Sequence, residues 1–469
     1  MSKIMFFSTN GSPERVDFRQ AILMGQAPDR GLYMPEEFPA LSPEEILRLK
    51  ELSYPEIAHQ VVRPYLGNLI PDATLRAILA DAYNYEVPLE RVFDGKYVMR
   101  LDRGPTCSFK DFAARLMGRL IQYFLSREGK NIVILTATSG DTGSAVAHAF
   151  FGLDNVQVVV LFPRSEVTDR QRRQMTTLGG NVHPLAVEGK FDDCQALVKQ
   201  AFADPELGHM NLSSANSINI GRLLPQAVYY FYAYSRLANR DGDKSEGKAG
   251  GMVEGEEGGL EEMVISVPSG NFGDLMGGLI AMKMGLPVRK FIAATNENDE
   301  FPRFMKTGVY DPIRPSRNCL SNAMNVGHPS NLARLFSLYG GRMDEVGVVH
   351  RMPDLEAMKQ DIFAVSVSDE ETRQTIKDTY HDHGVILEPH GAVGFAGLLR
   401  YLWDVEDWSP CVSLETADPA KFPEEIIRTI GVNPPLPRAM ADLDRMEEHF
   451  AEIDNSYQDL LDYLKRRFG

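Results

Sequence analysis

Hydrophobic and polar positions along the chain fall into two regimes. From about residue 130, a short β-branched run repeatedly gives way to a Gly/Ser/Asp loop and then to apolar residues at helical spacing. "NIVILTAT" runs into "SGDTG" and "SAVAHAFFGL", "VQVVVLF" into "PRSEVTDRQRRQM", and "MVISVP" into "SGNFGD" and "LMGGLIAMKMG". "RKFIAAT", "GVILEP" and "CVSLET" continue the series as strands. Alternation on this scale predicts doubly wound, mostly parallel α/β sheets, in which ligands bind beyond the carboxyl ends of strands. Residues 1–93 read differently. "SPEEILRLKELS", "YPEIAHQVVRPYL" and "PDATLRAILADAYN" are helical patterns with few strand signals, which predicts a helical lobe covering a catalytic core at 94–436. Residues 437–469 read as one or two closing helices. Residues 240–262 are Gly- and Glu-rich, cannot bury apolar surface and read as a disordered insertion.

Composition narrows the picture. A chain of 469 residues, 43% hydrophobic and 24% charged, has enough apolar surface for more than one core and a deep site. No apolar run approaches the roughly 18 residues of a membrane helix, and the first residues lack a secretory pattern, so a cytoplasmic protein without membrane partners is expected. The net charge of -16 opposes nucleic-acid binding and long-range steering of anionic metabolites. An anionic substrate would have to be caught by local groups, meaning helix-start N–H donors and a few placed cations. Four scattered cysteines form no CxxC pair and indicate neither disulfides nor zinc.

"GPTCSFKDFAARLM" (104–117) places Lys110 oddly. Ser108 and Asp111 have the spacing of a capping box, which sets Lys110 in the first turn of a helix, where the macrodipole disfavours a cation. A helix start and the apolar neighbours Phe109 and Phe112 lower an amine's pKa, as a Schiff-base lysine requires; the plain alternative is a stem that snorkels to solvent. The loops Ser139–Gly143 and Ser269–Asp274 each follow a strand and open a helix, so their N–H groups can converge on an anion, although Asp or Thr could equally serve there as an ordinary N-cap. Neither has the ending of a nucleotide P-loop. A depressed lysine with two such loops points to a cofactor bearing a carbonyl and a phosphate, as pyridoxal phosphate does.

"GPTCSFKDF", "TATSGDTGSAVAHAF", "SANSINIGR", "VPSGNFGDL", "LPVRKFIAATN" and "TADPAKF", in this order over nearly the whole chain and with "DRGLYMPEEFP" near its start, resemble the threonine synthases. These are pyridoxal-phosphate enzymes of fold type II, with two tryptophan synthase β-like lobes. The resemblance implies that Lys110 carries the cofactor as a Schiff base, and that Gly270, Asn271, Phe272, Gly273 and Asp274 surround its phosphate. Thr416 would meet the ring nitrogen, where a hydroxyl gives a milder electron sink than a carboxylate. Ser139, Gly140, Asp141 and Thr142 would take the substrate carboxylate, with Asp141 beside the ring oxygen. Asn216, Ser217 and Arg222 would receive the phosphate of O-phospho-L-homoserine. A helix beginning near Ile218 would make Asn216 and Ser217 its caps and raise Arg222 one turn later; without a ligand the same string reads as a cap with a solvated arginine.

The family usually has histidine where this chain has Arg103 and Asp418, and these two could pair. His381 and His383 read as helix C-terminal residues before a metal pair, and His390 as a capping or packing residue. Cys107 reads as a small apolar filler. The implied reaction converts O-phospho-L-homoserine and water to L-threonine and phosphate, by a monomer on family analogy. Two alternatives stay open, a phospho-lyase that releases 2-oxobutyrate and a non-catalytic binder of phosphorylated metabolites.

Overall fold

The computed structural model describes residues 4–238, 261–407 and 409–469. The insertion expected at 240–262 therefore lies outside the described residues except for its last two positions. Two sheets organise the chain. The first has the order Ile362–Ser366, Val288–Thr295, Met263–Pro268, Cys411–Glu415, Lys96–Arg100, Leu89–Phe93, parallel throughout except for the final antiparallel pair. The second has the order Ala451–Asp454, Val182–Glu188, Val156–Pro163, Ile132–Ala137, Leu212–Ser213 and is wholly parallel. The central strands Ile132–Ala137, Val156–Pro163 and Met263–Pro268 are buried on both faces and are the β-branched runs of the sequence.

Each sheet reverses its winding once, and a crevice opens at such a switch point. In the first sheet the reversal falls between Met263–Pro268 and Cys411–Glu415, so the loop after Pro268 and the segment after Glu415 emerge side by side. In the second it falls between Ile132–Ala137 and Leu212–Ser213, which brings together the loops that carry Asp141 and Asn216. The helix Lys110–Glu128 crosses from one sheet to the other, with its first residue near both crevices.

Helices Phe18–Met24, Pro43–Arg48, Tyr54–Leu66 and Asp72–Ala82 build the N-terminal region, with a small antiparallel pair Phe6–Ser8 and Tyr33–Pro35. Phe112, fully buried, joins this region to the crossing helix through ring contacts with Tyr54, Tyr83 and Tyr85.

Two sequence expectations need correction, and the expected closing helix of the tail is joined by an unexpected strand. "GVILEP" is no strand; residues 384–388 run extended into the helix Pro389–Asp404, whose cap is Glu388. The tail forms a single α-helix, Tyr457–Phe468, preceded by the edge strand Ala451–Asp454 and short 3-10 turns. Ser108 and Asp111 form no capping box: Phe109 is the N-cap, Ser108 Oγ accepts from Lys110 N at 3.4 Å, and the Asp111 side chain turns to Thr106. Ser108 bridges to Ala417, and the Asp111 carboxylate accepts from Thr106 N at 2.8 Å and Thr106 Oγ1 at 2.6 Å.

Candidate active site

Lys110 opens its helix, and Phe109 N–H donates to Thr416 O at 2.9 Å, which ties the helix start to the end of the first sheet. The Lys110 side chain is 13% exposed, so its amine reaches a recess in the protein. Among the described residues Nζ has no hydrogen-bond acceptor. Asp141 Oδ2 lies 3.7 Å away, and the Phe109 ring centroid 4.7 Å. Burial lowers the amine's pKa, and Lys421 and Arg222 lower it further against the opposing pull of Asp141 and Glu388.

The Ser139–Gly143 loop is shaped by Thr138, whose Oγ1 accepts from Gly140 N at 2.9 Å and Gly143 N at 2.8 Å. Gly140 has φ +132°, and a Cβ there would stand 2.4 Å from Gln171 Cδ. Neither Asp141 nor Thr142 caps the helix Asp141–Phe150; Gly140 holds that position. The Asp141 carboxylate instead accepts from Lys421 Nζ at 2.9 Å and Gln171 Nε2 at 3.0 Å. Burial alone would raise its pKa, yet Lys421 and Lys110 together hold it well below the usual carboxylate range. Lys421, fully buried, keeps its charge because Asp141 outweighs desolvation.

Across the crevice, Asn271 Nδ2 donates to Ser217 Oγ at 2.7 Å and Asn331 Nδ2 donates to the same atom at 3.2 Å. Both amides are fixed in orientation. Asn271 Oδ1 accepts from Ser330 N at 2.6 Å, and Asn331 Oδ1 accepts from Arg334 Nη1 at 2.6 Å. Ser217 thus receives two donors and keeps its own proton for another acceptor. A Cβ on Gly273 would approach Ser217 Cβ at 3.2 Å and Asn331 Nδ2 at 3.4 Å, so the bare glycine backbone faces this cluster. Phe272, at φ +59°, turns the chain into the helix Gly273–Lys283 and packs on Phe301. The Asp274 carboxylate faces inward, accepting from the hydroxyls of Tyr229 and Tyr230; burial pushes its pKa up to about 6.

Thr136 Oγ1 donates to Asn216 Oδ1. The short helix Ile220–Leu223 is capped by Asn219, whose Oδ1 accepts from Gly221 N at 2.9 Å, so it begins later than expected and Asn216 and Ser217 precede the cap. Arg222 is 2% exposed; Nη1 donates to Ala215 O at 2.6 Å, Nε has no partner, and no salt bridge joins it to any described carboxylate. Burial brings its pKa down to about 10.

Thr416 Oγ1 lies 3.3 Å from Glu388 Oε1. His390 packs edge-on against Phe422, with ring centroids 5.3 Å apart, and its Nδ1 is 2.5 Å from Glu388 Oε2. Arg103 and Asp418 form no ion pair. Arg103 Nε lies 3.5 Å from Asp102 Oδ1, while Asp418 caps its own turn by accepting from Ala420 N at 2.8 Å. His381 and His383 end the helix Asp369–His383, and no cluster of metal-ligating side chains occurs among the described residues. No described helix is long and apolar enough to cross a membrane.

Lys421, Gln171, Asn331 and Glu388 were not singled out from the sequence. "TADPAKF" drew attention to Thr416, but nothing in a single string distinguishes a fully buried lysine from a solvated one. The groups present fit pyridoxal phosphate: an amine with no hydrogen-bond acceptor for its aldehyde, and the Gly270–Gly273 turn with a spare Ser217 hydroxyl and an unpaired Arg222 for phosphoryl groups.

Comparison with known proteins agrees with this chemistry. The family described as pyridoxal-phosphate dependent enzyme matches residues 87–416, threonine synthase N terminus matches 5–83, and threonine synthase, C-terminal, matches 391–463. The chain is 40% identical to threonine synthase of Haemophilus influenzae over 96% of its own length and 97% of that protein's. It is 38% identical to that of Escherichia coli, with 92% of each chain covered. A solved structure of PLP-bound threonine synthase from Brucella melitensis superposes with a TM-score of 0.89 at 35% identity, covering 99% of this chain and 100% of that one. With its amine-centred recess, both switch-point crevices and its full length accounted for, the chain belongs to the threonine synthase family of pyridoxal-phosphate-dependent enzymes.

Proposed function

We propose that this enzyme acts on O-phospho-L-homoserine and water to give L-threonine and phosphate, as a cytoplasmic monomer. The observation that carries the reading is Arg222, a buried guanidinium without an anionic partner among the described residues, near enough to Lys110 to depress its amine. Such a charge is costly unless an anion joins it.

Pyridoxal phosphate, when bound, supplies an aldehyde that captures amines and a conjugated ring that takes up the electrons left when the neighbouring carbon loses a proton. Lys110 would hold it, with Gly270, Asn271, Phe272, Gly273 and Asp274 around its phosphate and Asp141 and Thr416 at its ring. Ser139, Gly140, Asp141 and Thr142 would orient the substrate carboxylate through the open N–H groups of a helix start. Asn216, Ser217 and Arg222 would bind the substrate phosphate, Ser217 with its spare proton and Arg222 with its free edge. The Lys110 amine would take the proton from Cα and pass it to the departing γ-phosphate, take one from Cβ and return it at Cγ; water then adds its hydroxyl at Cβ and its proton at Cα. A base must be uncharged to accept a proton, and burial beside two other cations favours that form. Phosphate retained by Arg222 would help position the water.

Product analysis tests this reading. Incubation with O-phospho-L-homoserine should give threonine and phosphate in equal amounts. Finding only 2-oxobutyrate, ammonia and phosphate would overturn it in favour of a phospho-lyase, and a colourless protein without turnover would leave a binder.

A further inference from the structure

The direction of one hydrogen bond at Thr416 follows from a backbone group that has no choice. Ala323 N–H can only donate, and it lies 3.1 Å from His390 Nε2. Nε2 is therefore an acceptor, and the ring proton sits on Nδ1. Nδ1–H donates to Glu388 Oε2 at 2.5 Å. The backbone N–H of His390 donates to Oε2 at 2.8 Å and that of Gly391 to Oε1 at 2.9 Å, because Glu388 is the N-cap of their helix. Three fixed donors on a fully buried carboxyl leave it an acceptor on both oxygens. The Thr416 hydroxyl, 3.3 Å from Oε1, is the fourth donor. A hydroxyl has one proton. With that proton given to Glu388, Thr416 can offer only lone pairs to anything else.

We propose that Glu388 acts through Thr416 as a positioning residue that keeps the ring nitrogen of the bound cofactor protonated, with Thr416 accepting from the ring N–H and Glu388 behind it as the counter-charge. The inference rests on Thr416 as the ring-nitrogen partner in the proposed function, and it reverses the expectation of a milder electron sink drawn from the hydroxyl alone. The surroundings support a single negative charge here. Glu388 N–H donates to Glu415 Oε1 at 2.7 Å, and burial together with the nearby Glu388 pushes the Glu415 carboxyl well up from the usual range. Arg100 donates to Ile386 O at 3.3 Å and spends its other edge on Asp102 at 2.5 Å. The Lys110 amine at the start of the crossing helix also faces Glu388.

The test uses the full-length protein loaded with pyridoxal phosphate carrying nitrogen-15 in its ring, read by nitrogen-15 NMR near neutral pH. Wild type should resonate at the pyridinium position. In Glu388→Gln the amide NH2 can face Thr416, turn its hydroxyl round and free its proton, so the signal should move to the pyridine position. Thr416→Ser should keep the pyridinium signal and Thr416→Val should lose it. A pyridine signal in wild type, or an unchanged signal in Glu388→Gln, overturns the proposal. Should Glu388→Gln fail to fold, the wild-type signal and the Ser and Val pair still decide. Borohydride reduction separates the two levels: absence of label trapped on Lys110 would bring down the function reading itself, whereas trapped label with an unprotonated ring brings down only this inference.

Discussion

The loops after Ala137 and after Pro268 are built alike, each with Ser-Gly after a strand and a buried aspartate in the first turn of a helix, yet their aspartates differ in how readily they ionise. Asp141 meets Lys421 at 2.9 Å and Lys110 at 3.7 Å, and its carboxylate stays ionised. Asp274 meets two tyrosine hydroxyls, and burial raises its pKa to about 6. Position at a helix start favours an anion in both loops. The difference shows that here the nearest full positive charge, more than the loop motif or the dipole, sets the protonation state.

The largest effect is expected from Lys110→Ala, which removes the amine that faces both loops. Turnover should fall by on the order of 10³-fold or more, with no cofactor trapped by borohydride. Asp141→Asn comes next, because it strands the buried Lys421 without its counter-charge. Loss of one partner of a buried pair costs about 3–5 kcal/mol, and urea denaturation of the variant should show it. Adding Lys421→Met should recover part of that loss, which a double-mutant cycle measures.

Asp274→Asn should behave in the opposite sense. The folded-state pKa is raised from 3.8 to about 6, so wild type is penalised when ionised. That penalty is fully present above pH 6, shrinks as pH falls through the window and is gone below 3.8. At one unit per 1.36 kcal/mol it amounts to roughly 3 kcal/mol at most. The variant should therefore be more stable than wild type at alkaline pH and equal to it in acid, as urea midpoints at the two pH values would report. A greater loss for Asp274→Asn than for Asp141→Asn would break the comparison. The smallest effect is expected for Arg103→Gln, whose half-exposed pair with Asp102 is worth less than about 1 kcal/mol by the same measurement.

Strand runs such as "NIVILTAT" and "MVISVP" were legible because strands buried on both faces read as continuous apolar stretches. "GVILEP" shares that appearance but ends on Glu388, whose side chain is used as a helix cap rather than in a ladder. The edge strand Ala451–Asp454 escaped notice because one short partly exposed segment in a charged tail carries little pattern. Among site residues, Lys110, Asp141 and Arg222 were legible through local context and family motifs. Lys421, Gln171, Asn331 and Glu388 act through contacts made across the fold, and no local spacing announces them.

The parallel edge strand Ala451–Asp454 also bears on biogenesis. It covers Val182–Glu188, a strand that leaves the ribosome long before its neighbour is made. Until then a flat, apolar border stands open to other chains, the kind of template on which intermolecular aggregates grow. Chaperone demand during synthesis should accordingly peak late, and truncation ahead of residue 451 should yield inclusion bodies.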